Sequence, residues 1–259
     1  PAPFAASVTA PLAEGPGSAA PARAPEPAPA TRTAAVARAA SAETVSPAAA
    51  EAPPQEPVID KTVRQPTQDE RAENEFRRAL ALMREHKDGD AVDALARALD
   101  LNPRLETARQ TLVVLLLQQG RVGDAESALR QGLAVNPRQP GFAMALARIE
   151  VERGAVPDAL ATLEAAAPAA AGNSQFQAFM AALLQRSERH DAAVARYRDA
   201  LSLSPGNGVW LMGMGISLEA SGAGDEARRA FEAARASNQL QPELLAFVER
   251  RIAGLGRRR

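Results

Sequence analysis

Side chains of matching size recur every 34 positions along most of this 259-residue chain. Four such columns run through five units: one is all alanine, one is large, and two are mostly small. In that order, they are Ala91, Ala125, Ala159, Ala193 and Ala227; Leu95, Leu129, Leu163, Tyr197 and Phe231; Ala98, Gly132, Ala166, Ala200 and Ala234; and Ala79, Val113, Ala147, Ala181 and Gly215. Fixed small and large positions suit two antiparallel helices in close contact. The period therefore predicts a stack of helix pairs, three of which end at Pro103, Pro137 and Pro205.

This pattern resembles the tetratricopeptide repeat, which has a period of 34 residues and places small, aromatic and proline residues at these offsets. The resemblance implies an all-α solenoid of about five helix-turn-helix repeats within residues 69–241. We place the repeats at 72–105, 106–139, 140–173, 174–207 and 208–241.

Residues 242–255 are predicted to form a capping helix. Their apolar side chains fall on one face of a helix, and charged side chains lie largely on the other. The apolar residues are Leu244, Leu245, Val248, Ile252 and Leu255. A solenoid needs such a cap because its last repeat otherwise exposes an apolar face to water.

The turn between the two helices of a repeat carries glycine in the second, third and fifth repeats, at Gly120, Gly154 and Gly222. Glycine adopts the left-handed backbone conformation at little cost. Glu188 stands at this place in the fourth repeat and His86 in the first. Because Gly89 follows His86 by three residues, we expect the first turn to be displaced. The third repeat has an early Pro168 instead of a final proline, which predicts that its second helix ends short.

Residues 1–68 are predicted to be a disordered, semi-extended linker. Of the 20 prolines, 13 lie in the first 66 residues, together with 21 alanines, and large apolar side chains are sparse there. Such composition buries too little apolar surface to offset the cost of ordering the backbone, and its proline-rich stretches favour polyproline II. The sequence begins with Pro1 and not methionine, so we expect a processed or truncated piece of a longer protein, with any membrane anchor upstream.

No residue pattern in the chain indicates catalysis, a cofactor or a metal. There is no cysteine, and the two histidines, His86 and His190, fall in turns of different repeats. Gly213 and Gly215 lack the third glycine of a dinucleotide loop, and the repeat register explains Gly215 by helix packing. The formal net charge of -1 provides no field to attract nucleic acid. We therefore expect a protein that is not an enzyme and does not bind nucleic acid.

In tetratricopeptide proteins the first helix of each repeat lines a concave groove, and the resemblance carries this role to eleven residues. They are Phe76, Leu80, Met83, Gln110, Val114, Leu117, Met144, Arg148, Val151, Phe179 and Arg186. These residues predict an apolar groove with a few arginines, suited to a helical or extended apolar segment of a protein partner. Under the alternative interpretation, several of them simply pack between helices.

The lysines and asparagine with which some tetratricopeptide proteins clamp a carboxylate are absent. Their places hold Phe76, Leu80 and Thr111, and further basic positions hold Gly141 and Ala145. Trp210 is assigned mainly to packing between repeats, with exposure as a binding anchor as the alternative.

The last two repeats also resemble a family of accessory proteins of mannose-sensitive haemagglutinin (MSHA) type IV pilus biogenesis. The resemblance rests on the segments 207–219 and 240–255. It implies a periplasmic scaffold that is anchored in the inner membrane, carried by the linker, and bound to pilus-assembly components. The alternative is a cytosolic adaptor or co-chaperone-like repeat protein. Association between copies of the chain stays open.

Overall fold

The computed structural model describes residues 64–256, which contain eleven α-helices and no strand. The helices are α1 Gln68–Arg84, α2 Asp88–Leu101, α3 Glu106–Gln118, α4 Val122–Val135, α5 Pro140–Glu152, α6 Val156–Ala166, α7 Ser174–Arg186, α8 His190–Leu203, α9 Gly208–Ala220, α10 Gly224–Ala236 and α11 Pro242–Gly256. The residues from Pro66 to Gly256 belong to one compact unit. Predictions about residues 1–63 lie outside the described residues, as does the end of the chain after Gly256.

Helices α1 to α10 form five consecutive pairs, and α11 follows as a single helix. The predicted fold class, an all-α solenoid of five helix pairs with a final cap, is therefore confirmed. Every residue of the four repeating columns is buried, and the large column is at most 3% exposed. The core divides into three apolar clusters, which span α1 to α5, α5 to α8 and α8 to α11. Successive pairs thus share helices between clusters, as stacked repeats do.

Glycine in a small column lets two helices approach closely. A Cβ atom added at Gly215 would lie 2.8 Å from the Phe231 ring, and one at Gly213 would lie 2.5 Å from the Tyr197 hydroxyl. Neither distance leaves room for a side chain. The interpretation of Gly215 as a packing residue is confirmed.

The turn inside each repeat has the same geometry in all five. The amide N–H two residues after the helix cap donates to the carbonyl three residues before the cap, as in Lys87 to Leu82 (2.9 Å) and Arg121 to Leu116 (2.8 Å). His86 has a φ of 57° and Glu188 a φ of 59°, where the other turns have glycine. The prediction that the first turn is displaced is therefore wrong. Helix ends fixed by core packing impose the left-handed conformation even on a residue with a Cβ.

Helix α6 ends early, as predicted. It has 11 residues, whereas α2, α4 and α8 have 14 each. A short 3-10 segment, Ala167–Ala169, follows it and contains Pro168. Proline has no N–H to continue the helix and restricts the residue before it.

Helix α11 covers the last repeat. Val248 is fully buried, and Leu244, Ile252 and Leu255 pack against the third cluster. Phe247, which the sequence pattern did not single out, meets Phe231 edge-to-face with ring centroids 6.5 Å apart. The Arg251 guanidinium lies 5.9 Å from the centre of the Phe247 ring and pairs with a carboxylate of α9.

Candidate protein-binding surface

The eleven residues predicted for the groove lie on α1, α3, α5 and α7, and we call them the first-helix face. Their exposure differs. Gln110, Val114 and Arg186 are exposed, and Met144 is only 9% exposed. The others are partly buried: Phe76, Leu80, Met83, Leu117, Arg148, Val151 and Phe179. This face therefore combines a packed base with side chains that solvent can reach.

Several members of the first-helix face also hold the fold together. Phe76, Met83 and Leu117 pack against the first apolar cluster, and Val151 and Phe179 pack against the second. Met144 belongs to the second cluster itself. A charged residue at Met144 would therefore damage folding as well as any surface. The binding role of the face stays a prediction.

Arg148 and Phe179 join the third and fourth repeats on this face. The Arg148 guanidinium carbon lies 5.8 Å from the centre of the Phe179 ring, within the range of a cation–π contact. The Nε atom of Arg148 is buried and has no hydrogen-bond partner, and no carboxylate in residues 64–256 pairs with this arginine. A partly buried guanidinium with unused donors is suited to bind a carbonyl or carboxylate.

The helices that carry the C-terminal part of the face begin at asparagine caps. The side-chain oxygen of Asn173 accepts from the Phe176 amide at 3.0 Å, and that of Asn207 accepts from the Trp210 amide at 3.1 Å. Such caps satisfy amides that have no partner in the first helical turn. Trp210 is partly buried against the second cluster, in line with the packing role assigned to it.

Two buried carboxylates, which the sequence analysis missed, lie where the second repeat meets the third. Glu126 of α4 pairs with Arg130 and Arg153. Glu150 of α5 lies 3.4 Å from the Arg130 guanidinium and accepts from the Thr162 hydroxyl at 2.9 Å. We call these five residues the polar seam. The cations are half exposed, so solvent reaches one side of the seam.

The sequence does contain a signal for the polar seam. Glu150 stands in a column that is otherwise leucine, at Leu82, Leu116, Leu184 and Leu218. Glu126 stands in a column that otherwise holds Val92, Leu160, Val194 and Arg228. A charge in a column of core residues predicts a buried polar group that needs partners.

The described residues contain no group of three or more side chains that could hold a metal ion. His86 is exposed in its turn, and His190 is partly buried at the start of α8. No helix within residues 64–256 has the length and apolar character needed to cross a membrane.

A family model, described as "Tetratricopeptide repeat", matches residues 82–149, 116–183 and 184–250, which together cover more than half of the chain. The chain belongs to the tetratricopeptide repeat family. Repeats of this family generally act as scaffolds for protein–protein interaction, and catalysis is not typical of them.

Solved structures of tetratricopeptide proteins share the fold. The crystal structure of the MamA protein has 17% identity and a TM-score of 0.56, and the match covers 66% of this chain and 93% of that one. YrrB, "a TPR protein with an unusual peptide-binding site", has 15% identity and a TM-score of 0.58, and the match covers 69% and 92%. A tetratricopeptide repeat protein from Parabacteroides merdae has 14% identity, with a TM-score of 0.55 and coverage of 71% and 72%. No curated protein matches the sequence.

Proposed function

We propose that this protein is a non-catalytic scaffold of MSHA-type pilus assembly, similar to MshN, and that it binds a pilus-assembly component along the first-helix face. The family supports protein binding in general. The pilus role is supported by the resemblance of the last two repeats to MshN, over segments 207–219 and 240–255.

The observation that carries the surface assignment is the pair formed by Arg148 and Phe179. The pair bridges two repeats, and its cation has no carboxylate partner within residues 64–256. The exposed Val114 lies on the first helix of the preceding repeat. A partner segment that is apolar on one side and presents a carbonyl or carboxylate would use both. YrrB, which shares the fold, is itself described by a peptide-binding site.

The test compares matched charge substitutions. Val114→Glu and Arg148→Glu alter the first-helix face. Val122→Glu is the apolar control, because Val122 is 38% exposed and Val114 is 39% exposed, and Val122 lies on a second helix. Arg229→Glu on α10 is the control for reversal of an arginine charge. Circular dichroism would establish that each variant is folded.

Immobilised wild-type chain is incubated with detergent-solubilised membranes from an MSHA-piliated bacterium, and retained proteins are identified by mass spectrometry. We expect an identified pilus-assembly component to bind the wild type and both controls. The two face variants should each weaken this binding by at least about 2 kcal/mol, because central desolvated contacts dominate an interface. Equal retention by folded face variants would contradict the surface. Retention of soluble cytosolic proteins alone would favour the cytosolic adaptor.

We place the repeats on the periplasmic face of the inner membrane, with the linker as spacer. A fusion of alkaline phosphatase to the C-terminus of the full-length natural protein tests this directly, because the enzyme is active only after export. Phosphatase activity is the expected result. An inactive but stable fusion protein would favour the cytoplasmic location.

A further inference from the structure

A cavity of about 330 Å³ lies at the edge of the solenoid formed by the turns between repeats. Its walls come from the turn between α2 and α3, the start of α3, the end of α4 and the start of α5. Arg109, Val135 and Phe142 are among its lining residues. The cavity includes none of the eleven residues of the first-helix face.

Arg109 is a buried cation without a counter-charge. It is 4% exposed. Its Nη1 donates to the Ala128 carbonyl and its Nη2 to the Pro103 carbonyl, both at 3.1 Å. No carboxylate of residues 64–256 lies within ion-pairing distance of it. Burial lowers the pKa of its guanidinium. A buried charge that only neutral carbonyls satisfy is costly, and an anion would offset that cost.

The stem of Arg109 is held rigidly. A Cβ atom at Gly132 would lie 2.5 Å from the Arg109 Cδ and 2.8 Å from the Phe142 ring, so both side chains fill the space that alanine occupies in the other repeats. A guanidinium fixed by packing and by two hydrogen bonds loses little further freedom when it binds a ligand.

We propose that this cavity binds a small monocarboxylate with a short apolar chain. The guanidinium fork of Arg109 matches a carboxylate in geometry and charge, and its Nε–H makes no hydrogen bond within residues 64–256. Phe142 and the exposed Val135 supply apolar wall. The inference goes beyond the proposed scaffold function and does not depend on it.

The charge of the lining selects a singly charged ligand. Arg104 and Arg109 are opposed by Glu106, whose carboxylate accepts from the Asn136 side chain at 3.3 Å. The lining therefore carries one net positive charge, which one carboxylate neutralises and a phosphate dianion exceeds. The volume lies near the lower end of ligand sites, of roughly 300 to 1,000 Å³, which suits a small acid.

The test titrates the full chain with isovalerate and follows heat and the NMR signal of the Arg109 Nε–H. Isovaleramide has the same shape without the charge, and inorganic phosphate tests a different anion. We expect saturable binding of isovalerate that shifts the arginine signal, and binding at least about tenfold weaker for the amide and for phosphate. Equal binding of either, or no saturation by isovalerate below about 10 mM, would overturn the proposal.

Two variants test the location. Arg109→Met keeps the length of the stem and should abolish binding. Since that change can also impair folding, Val135→Trp fills the mouth of the cavity while Arg109 stays. Leu203→Trp is its matched control, because Leu203 is exposed, ends α8 and occupies the column of Val135 two repeats later. We expect loss of binding in Val135→Trp and not in Leu203→Trp. Unchanged binding in a folded Val135→Trp variant would contradict the site.

The source of the carboxylate is distinguished by a tetrapeptide that ends in a free leucine carboxylate and by its amidated form. We expect isovalerate to bind at least as tightly as the free-acid peptide. Tighter binding of the peptide would overturn the assignment to a small acid, because the cavity would then recognise a chain terminus.

Discussion

At the junction of the second and third repeats, Glu126 and Glu150 are buried among arginines, whereas the fifth repeat meets α11 through Phe231, Phe247 and Val248. Both junctions use the same helix-pair register. The apolar junction gains stability from area alone and tolerates small shifts. The polar seam is stable only while each carboxylate keeps its partners, which restricts it to one arrangement of the two repeats.

The largest effect should come from removal of the apolar junction. A chain that ends at Gln241 loses the buried faces of Leu244, Phe247 and Val248 and exposes Phe231. We expect a loss of up to about 5 kcal/mol of unfolding free energy, from roughly 1.5 kcal/mol for each large side chain that is fully buried, together with self-association. Denaturant unfolding and gel filtration measure both. A chain ending at Gly256 is the control, and an unchanged, monomeric truncated form would show that α11 does not act as a cap.

The polar seam should respond to the loss of one cation. Arg130→Met removes the group that pairs with both Glu126 and Glu150. We expect a loss of about 2 kcal/mol, less than for a fully buried pair because Arg130 is half exposed. Arg198→Met is the control, since Arg198 is equally exposed but pairs with the exposed Glu226 at 2.8 Å. It should change the unfolding free energy by at most about 0.5 kcal/mol.

A second substitution tests why Arg130→Met destabilises. Glu126→Val with Glu150→Leu restores the residues of the repeating columns, and in the Arg130→Met background it should recover the lost stability. Chemical denaturation of the triple variant measures this. No recovery would mean that the arginine stem, and not the unpaired charge, is responsible.

The sole tyrosine reports on the packing of the fourth and fifth repeats. Burial raises the pKa of Tyr197 above its ordinary value of 10.0. The unfolded chain therefore releases this proton first as the pH rises through 10. The free energy of unfolding should fall by about 1.4 kcal/mol for each pH unit above that point, until the folded tyrosine also ionises.

Tyr197→Phe should remove this part of the alkaline loss. Denaturant unfolding of both chains at several alkaline pH values measures it, and the ultraviolet absorbance of tyrosinate shows when ionisation occurs. Ionisation of the folded chain near the ordinary pKa, without unfolding, would contradict the burial of Tyr197.

The smallest effect concerns the turns. His86→Gly and Glu188→Gly should each raise the unfolding free energy by about 0.5 kcal/mol, because glycine relieves a positive φ but makes the unfolded chain more flexible. Lys87→Gly, at the next position with φ of -95°, should lower it. If all three glycine variants lose stability, the turns of the first and fourth repeats are not strained.

Much of the fold could be predicted because a column that repeats five times averages out local exceptions. The buried alanines, the large column and the early end of α6 at Pro168 are all confirmed. The first turn could not be predicted from glycine, because packing of α1 and α2 outweighs the preference of His86. Phe247 was missed because the pattern of the cap does not show which side chain meets Phe231.

The candidate surface could be predicted less well, for a physical reason. A residue on the first helix of a repeat borders both the core and the solvent, and the sequence does not show how far the next repeat covers it. Met144 is thus buried, whereas Val114, on the preceding repeat, is exposed. The cavity at Arg109 depends on a pairing across two helices that periodicity alone does not reveal.

The packing of Arg109 against Gly132 restricts how this chain can have evolved. Repeat arrays grow by duplication and exchange of units, and alanine stands in the Gly132 column of every other repeat. A recombination point between α3 and α4 would bring an arginine against an alanine and create a clash. The second repeat can therefore be inherited or transplanted only as a whole, and preferably with the helix that carries Phe142, so breakpoints in related genes should avoid this stretch.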